Sequence, residues 1–270
     1  MKKFTVFSII MLVLGIILLG IGASLTYSDS YWNFKNNPVS YTKSLPDGVR
    51  VSSIEIDAAF CNFNIYPGED FLLEARNVPD EIKLTMRESG GVLRIKPEKK
   101  YKVFNGLNVG NVKKFGTYNL YIPYDMYSKF DASIAFSDIH IDNPATFSKA
   151  NIDVSFSQFN AYDFDVLNNL SVTSAYSGVN IELANNLLSR ITADNSFGSL
   201  TFRNVEFISS MEIDNSFGEC NITVIGDAYN VSKSNGFGEV NYYGIDGSKG
   251  DPIISVSNAF GSTTLTARAR

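Results

Sequence analysis

The sequence has few of the residues from which enzyme active sites and nucleic-acid-binding surfaces are built. Its 270 residues include one histidine, His140, and two cysteines, Cys61 and Cys220. A catalytic triad or a multi-histidine metal site would have to be built on His140 alone, and without a C-x-x-C pair neither a zinc site nor a redox motif is indicated. With 28 acidic against 23 basic residues, the chain also lacks the basic footprint that phosphate contacts need. We therefore expect no catalytic residues, no cofactor, no metal and no nucleic acid partner.

Charged residues are missing from one long stretch, Phe4 to Tyr27. A helix of this length spans roughly 36 Å, which exceeds the roughly 30 Å hydrocarbon core of a bilayer. Because Lys2 and Lys3 precede it, we expect a cytoplasmic amino terminus and an extracytoplasmic carboxy-terminal domain. We interpret residues 1–27 as a cytoplasmic tip and a single-pass signal anchor in the cell membrane. The alternative is a cleaved signal peptide, whose apolar core is usually shorter.

One aromatic position recurs through the second half of the chain at intervals of about 20 residues. A period this short and regular is typical of a solenoid, in which each repeat stacks on its neighbours. We predict an all-β fold, a single-stranded parallel β-helix or β-solenoid with ~20-residue rungs, preceded by the transmembrane helix. The recurring aromatics are predicted to form its interior spine: Phe136, Phe156, Tyr176, Phe197, Phe217, Phe237 and Phe260.

Apolar residues alternate within each repeat as in a strand that buries one face. Ile191 and Ala193 have the same parity as Phe197, and after Gly198 the parity changes so that Leu200 is expected to point inwards. A phase shift of one residue at a glycine indicates a bend. Each repeat is therefore predicted as strand, corner, strand and a variable return.

Two polar columns follow from the same alignment of repeats. The first lies two positions before the aromatic, and we predict that its amides form a structural ladder: Asn195, Asn215, Asn235 and Asn258. The second lies four positions after the aromatic and faces outwards. It provides the candidate binding face, whose amides can meet sugar hydroxyls: Asn160, Asn180, Asn221 and Asn241. An envelope polysaccharide or a membrane protein is the expected partner.

Acidic residues are also repeated, three positions before the aromatic, at Asp57, Asp153, Asp194 and Asp214. The Gly-rich nonapeptide of calcium-binding β-rolls is absent, so we interpret this column as a solvated acidic face. Asp138, His140 and Asp142 alternate on one predicted strand and form the one local grouping of acids with an imidazole. Since no G-x-S-x-G elbow accompanies them, a polysaccharide-cleaving enzyme is the least favoured interpretation.

These segments divide the chain into four parts. Residues 1–27 are followed by a juxtamembrane linker, 28–50, with aromatics typical of the lipid headgroup region. Residues 51–128 are predicted as an irregular, partly antiparallel β region that caps the solenoid, because an open rung would leave an exposed strand edge. Within this region, Ser89-Gly90-Gly91 is a predicted hairpin turn and Phe60 a further aromatic of the column. Residues 129–270 form the regular repeats.

The combination of features resembles the bacterial putative-adhesin domains of unknown function. The resemblance rests on the amino-terminal span, the strand that ends in Tyr121-Ile122-Pro123, and repeats such as Asp194 to Gly198 and Asp214 to Gly218. It covers residues 50–267, but the first repeats have Ser in place of Gly, and aromatics stand where many members have smaller residues. The resemblance implies a membrane-anchored β-solenoid at the bacterial cell surface and supplies no catalytic residues.

The function that this implies is an adhesin-like or scaffold module that binds envelope material without catalysing a reaction. Some members of these domains are linked to envelope-stress regulation. The alternative is therefore a regulatory partner of a membrane stress-sensing system, acting through Phe4 to Tyr27 and the aromatics of the linker.

Overall fold

The computed structural model describes residues 38–79, 83–98, 116–142, 145–184, 187–247 and 252–269. The anchor predicted at residues 1–27 and the linker up to residue 37 lie outside these residues. Every regular element of the described part is a β-strand, so the all-β class is as predicted. This part contains no helix with the length and apolar character needed to cross a membrane.

The described residues form twenty strands, most of which alternate buried and exposed side chains. In chain order they are β1 (Pro38–Ser44), β2 (Ser53–Ala59), β3 (Asn62–Gly68), β4 (Leu72–Pro79), β5 (Leu84–Ser89), β6 (Val92–Pro97), β7 (Thr117–Pro123), β8 (Met126–Tyr127), β9 (Lys129–Ala135), β10 (Asp138–Asp142), β11 (Thr146–Ser155), β12 (Gln158–Ala175), β13 (Gly178–Leu183), β14 (Leu187–Ser196), β15 (Ser199–Ser216), β16 (Glu219–Ile225), β17 (Asn230–Asn235), β18 (Glu239–Tyr243), β19 (Ile253–Asn258) and β20 (Ser262–Arg268).

Strands of different repeats pair in parallel, with equivalent repeat positions opposite each other. In β10 and β12, for example, Asp138 pairs with Gln158 and Ile141 with Ala161. These pairings form two ladders. The first ladder has the order β7, β3, β10, β12, β13, β15, β16, β20, β18. The second ladder has the order β6, β2, β9, β11, β12, β14, β15, β19, β17.

The order of the strands departs from chain order at both ends of the ladders. At one end β2 lies between β6 and β9, and at the other β19 lies between β15 and β17. The expectation that every winding stacks on the preceding one is therefore wrong for the terminal repeats. The side chains explain the carboxy-terminal inversion: Lys233 of β17 occupies the inward position that Ile213 and Val256 fill in β15 and β19. An apolar strand is better placed inside the stack, and a strand with an inward lysine at its edge.

The hydrophobic core lies between the two ladders. Leu200 and Phe202, at the inward positions after the corner, have no exposed surface, and Ile191 and Ala193 are buried before it. Both cysteines are free and belong to this core. Burial raises the pKa of the Cys61 and Cys220 thiols to about 12, so neither is available as a nucleophile at neutral pH.

Antiparallel strands cover the amino-terminal end of the core. β1 pairs with β4, β4 with β7, and β5 with β6. The β5–β6 turn is the predicted hairpin: Ser89 pairs with Val92, and Gly90 and Gly91 between them have φ values of 65° and 78°, which glycine adopts without strain. At the other end, Ile245 is buried, and the Val231 amide donates to the Gly247 carbonyl.

A two-residue corner connects most second-ladder strands to the following first-ladder strand, as Phe197-Gly198 connects β14 to β15, whereas three residues connect β17 to β18 and β19 to β20. In the early repeats the second corner residue is Ser, and its hydroxyl accepts the corner amide of the preceding repeat. Ser157 Oγ accepts from the Ser137 amide at 3.0 Å, and Ser177 Oγ from the Ser157 amide at 3.1 Å. Each hydroxyl also donates to the carbonyl two residues before it, as Ser157 does to Ser155.

The later repeats have Gly at this corner position and Asn three residues before it. The asparagine side chain satisfies the corner in place of serine: Asn215 Nδ2 donates to the Gly218 carbonyl at 3.0 Å and to Asn258 Oδ1 at 3.1 Å. Asn195 Nδ2 donates in turn to Asn215 Oδ1 at 3.0 Å. The predicted amide ladder is therefore present for Asn195, Asn215 and Asn258, which are buried, whereas Asn235 is exposed in β17. At Gly218 and Gly261, the space that a corner side chain would need is occupied by Nδ2 of Asn195 and of Asn215 from the adjacent repeat.

Candidate functional site

The predicted aromatic spine is a column of stacked rings on the outside of the corners. Successive ring centroids are 4.7 to 5.1 Å apart with interplanar angles between 1° and 17°. The prediction that these rings lie in the interior is wrong, since Phe156 is 43% exposed, Tyr176 38% and the terminal Phe237 84%. The column runs Phe60, Phe136, Phe156, Tyr176, Phe197, Phe217, Phe260, Phe237.

Backbone geometry explains why the rings point outwards. The first six rings of the column belong to residues in the left-handed region, with φ between 52° and 61°. This conformation turns the side chain away from the core and costs an ordinary residue about 1–2 kcal/mol. Each ring is in turn covered on its faces by its neighbours, which offsets part of this cost.

A pair of variants at one ring position separates backbone strain from ring stacking. Tyr176→Asn and Tyr176→Ala both remove the ring, but asparagine tolerates the left-handed region better than alanine does. We expect the Asn variant to unfold with a free energy about 0.5–1 kcal/mol higher than the Ala variant. Urea unfolding followed by circular dichroism measures the difference. An alanine variant at least as stable as the asparagine variant would show that the corner backbone is unstrained.

The four asparagines of the candidate binding face lie in one column on the outer side of the first ladder. Asn160 and Asn180 are adjacent, and Asn180 Nδ2 donates to Asn160 Oδ1 at 3.0 Å. Asn221 and Asn241 continue the column but are separated by Thr264, because β20 lies between β16 and β18. In register the whole column is Asn119, Asn64, His140, Asn160, Asn180, Thr201, Asn221, Thr264, Asn241.

Part of the hydrogen-bonding capacity of this column is used within the protein. Asn64 Nδ2 donates to Asn119 Oδ1 at 2.9 Å, and Asn221 Nδ2 to Glu219 Oε1 at 2.8 Å. In the described part of the chain no partner is found for Asn160 Nδ2 or Asn180 Oδ1. The column can therefore offer both donors and acceptors to a ligand.

A cluster of aromatic rings adjoins the polar column. The rings of Tyr66 and Tyr121 are 5.8 Å apart, and the His140 ring lies 6.4 Å from Tyr66 and 5.5 Å from Tyr162. Tyr162 is 43% exposed. We call these four residues the tyrosine cluster. The repeat pattern could have found two of its members, since Tyr66 and Tyr162 both stand six positions after a column aromatic. Tyr121 joins only through the pairing of β7 with β3.

The acid and imidazole grouping on β10 belongs to the same outer face. His140 contacts two tyrosine rings, and Asp142 stands in register with Tyr162. Among the described residues there is no group of three His, Cys, Asp or Glu side chains that could hold a metal ion.

The outer side of the second ladder has a different character. A shallow depression of about 390 Å³ lies there, lined by side chains that include Glu55, Asp57, Asp131, Asp153 and Lys96. Lys96 and Arg94 form ion pairs with Glu55, and the Lys96 hydrogen bond contributes most to lowering the Glu55 pKa. Burial raises the pKa of Asp57. The two outer faces both carry acidic residues, and the first ladder is distinguished by its amides and tyrosine rings.

The class that the fold defines is an all-β protein of two parallel strand ladders with polar outer faces. No family model and no curated protein matches the chain. Solved structures are similar at low identity. One is described as a "putative adhesin" of Bacteroides fragilis NCTC 9343, with a TM-score of 0.47 and 13% identity over 87% of this chain and 98% of that one.

A second structure is described as a "putative lipid binding protein" of Parabacteroides distasonis ATCC 8503, with a TM-score of 0.42 and 17% identity over 87% of this chain and 98% of that one. A third, a "putative cell adhesion protein" of Clostridium sporogenes ATCC 15579, has a TM-score of 0.39 and 12% identity, covering 86% and 100%. At these scores no function is transferred to this chain.

Proposed function

We propose that the protein is a non-enzymatic binding module, anchored in the cell membrane and directed outwards, that binds a polysaccharide of the bacterial envelope in an adhesin-like manner. The observation that carries this proposal is the column of polar side chains, most of them asparagine amides, beside the tyrosine cluster on the first ladder. The pairing of equivalent repeat positions supports a parallel β-solenoid as its architecture. The uncharged stretch from Phe4 to Tyr27 supports the anchor.

The chemistry of this face matches that of a glycan. Sugar hydroxyls are donors and acceptors, and an asparagine amide provides both functions from one rigid group. The C–H faces of a sugar ring are apolar and pack on tyrosine rings, whose hydroxyls stay in contact with water. Parallel strands repeat every 4.8 Å or so, and this spacing is close to the rise per sugar of an extended glycan. A polymer lying along the column would meet an equivalent group at each strand.

The contrast between the two outer faces supports the choice of the first ladder. The second-ladder face presents Asp57, Asp153, Asp194 and Asp214 in one column. The pKa of Asp194 is raised by burial and by the neighbouring Asp214, as expected for crowded like charges. On the first ladder, Asp138, Glu219 and Glu239 stand two positions before members of the amide column, so both faces carry carboxylates and the first is distinguished by its amides and tyrosine rings.

We expect the triple variant Asn160→Ala, Asn180→Ala, Asn221→Ala to bind purified cell-wall polysaccharide at least tenfold more weakly than the unaltered chain. Two or three lost hydrogen bonds to a ligand, at about 0.5–1.5 kcal/mol each, account for this loss. Thermal unfolding should change little, because the three side chains lie on the outer face. Co-sedimentation with insoluble wall material measures the binding.

A matched control lies on the other face. Ser171, Thr173 and Thr192 are outer residues of β12 and β14 on the second ladder, and replacing them by alanine should leave binding unchanged. Equal binding by the asparagine variant and the unaltered chain would refute the amide face. Tyr162→Ala tests the tyrosine cluster in the same assay.

A further inference from the structure

A cluster of cations lies at the end of the fold where the described chain begins. Lys43 of β1 and Lys83, just before β5, both place their ammonium groups over the Tyr41 ring, at 5.5 and 4.7 Å from its centroid. Arg87 of β5 is exposed nearby. The Tyr41 hydroxyl donates to the Leu84 carbonyl at 2.6 Å, which fixes the ring between β1 and β5. We call Tyr41, Lys43, Lys83 and Arg87 the basic end cluster.

The charges of this cluster are poorly neutralised. The pKa of Lys43 is lowered by burial and by the charges of Lys83 and Arg87, which exceed the opposing effect of Glu98. Within the described ranges, no carboxylate lies at ion-pair distance from any of the three cations. Neighbouring basic residues are paired, since Arg76 contacts Glu74, and Arg94 and Lys96 contact Glu55. Three cations that form no ion pair among the described residues offer a binding surface for an anion.

The repeats carry an excess of acidic residues. Residues 116–247 contain 16 acidic and 5 basic side chains. The basic end cluster is a local group of cations, since residues 38–98 as a whole contain 10 acidic and 7 basic side chains.

We propose that the basic end cluster docks on a membrane surface that contains anionic phospholipid, so that the ladders stand away from the bilayer. This rests on the membrane anchoring of the proposed function: Pro38 follows Tyr27 by eleven positions, and such a linker spans at most about 40 Å. Lysine and arginine contact the headgroup phosphates, and Tyr41 provides an aromatic of the kind found at membrane interfaces.

The acidic repeats oppose any other orientation. Charges interact with the surface within a Debye length of about 10 Å at 0.1 M salt. A molecule lying flat would bring the acidic residues of one ladder within this distance, whereas an upright one keeps most of the acidic repeats beyond it. The upright orientation also leaves the amide face open to the envelope.

Lysine reactivity in defined bilayers tests the docking. The full-length chain is reconstituted into bilayer discs of phosphatidylcholine alone or of phosphatidylcholine with an equal amount of phosphatidylglycerol, and acetylation is read by mass spectrometry. Each cation at an anionic surface gains about fivefold in association, so acetylation of Lys43 and Lys83 should fall at least fivefold with phosphatidylglycerol. Lys233 is the matched control, because it lies 5.4 Å from the Tyr242 ring centroid near the opposite end. Its reactivity should not change.

A second measurement reports orientation. Because Cys61 and Cys220 are buried, a dye on Ser234→Cys labels the far end selectively. Phosphatidylglycerol should lower energy transfer from this dye to a headgroup acceptor, and Lys43→Glu with Lys83→Glu should abolish the lipid dependence. Equal reactivity of Lys43 and Lys83 in both discs would overturn the proposal, as would equal protection by inorganic phosphate alone, which would indicate a free-anion site.

Flotation separates failure of the anchor from failure of docking. A chain that floats with phosphatidylcholine vesicles is anchored in the membrane, whether or not the basic end cluster docks. A chain that floats only when phosphatidylglycerol is present lacks the proposed anchor but supports docking. A chain that floats with neither contradicts both.

Discussion

Gly198→Ala is expected to lower the free energy of unfolding by about 3 kcal/mol, at the upper end of the range for overpacked sites. A β-carbon at this corner would lie 2.1 Å from the Ser177 carbonyl oxygen and 2.9 Å from the Ser177 nitrogen. Both atoms belong to the backbone of the adjacent corner. That backbone is itself held by hydrogen bonds, since Tyr176 donates to the Ser196 carbonyl and Ser199 to the Ser177 carbonyl. Relief of the clash therefore requires two repeats to move apart.

Gly178→Ala is the matched control. Its β-carbon would come about as close to another atom as that of Gly198→Ala, but this atom belongs to a side chain and not to the backbone. The contact is with Gln158 Oε1 at 2.2 Å, at the end of a flexible, half-buried side chain that can rotate away. We expect a change of less than about 1 kcal/mol, because the entropic gain of replacing a strand glycine offsets the small rearrangement. Urea unfolding monitored by circular dichroism measures both variants. Similar losses at the two positions would show that corner packing is not the limiting contact.

Asn215→Ala is expected to destabilise the protein by about 3–5 kcal/mol, because several buried groups lose their partners at once. Asn215 is 1% exposed. Its Nδ2 donates to the carbonyls of Gly218 and Ser262, both at 3.0 Å, and its Oδ1 accepts from Asn195. The side chain thus connects three repeats. Removal takes one hydrogen bond each from the two carbonyls, the Asn195 amide and Asn258 Oδ1 in the core.

Asn235→Ala tests the same repeat position without burial. Asn235 pairs in register with Asn258 but is exposed at the edge of the second ladder. We expect a loss below about 0.5 kcal/mol, as for most surface substitutions. Hydrogen exchange adds a local measure, since Asn215→Ala should expose the amides of β15, β16 and β20 first. Equal destabilisation by the two variants would contradict the ladder as the source of the effect.

The two corner types show how polar groups are satisfied inside the stack. At a serine corner, the hydroxyl accepts a hydrogen bond from the corner amide of the preceding repeat. A glycine corner has no hydroxyl. Instead, the asparagine three residues earlier, on the strand that leads into the corner, donates hydrogen bonds through its side-chain Nδ2. The two corner types need different residues at two positions, so the residues at these positions change together. A repeat with Gly198, Gly218 or Gly261 has the asparagine three residues earlier, and a repeat with Ser137, Ser157 or Ser177 does not.

The repeat period by itself determined which repeat positions share a column. Parallel pairing places equal repeat positions side by side, so the outer asparagine column, the buried amide ladder and the inward positions of Leu200 and Phe202 all follow from the alignment of the repeats. The Gly90-Gly91 hairpin was equally predictable, because its turn depends on two local residues that tolerate positive φ.

Only the tertiary structure decided where the aromatics point and in which order the strands stack. Alternation along a strand assigns sides to a residue only while the backbone stays extended, and the left-handed φ at residues such as Phe197 reverses that assignment. The repeat period also does not determine the strand order. Every repeat offers the same register, so either β19 or β17 can pair with β15. Burial then selects the apolar strand for the interior and leaves Lys233 at the edge. Tyr121 reaches the tyrosine cluster through a pairing outside the repeat, which no period in the sequence encodes.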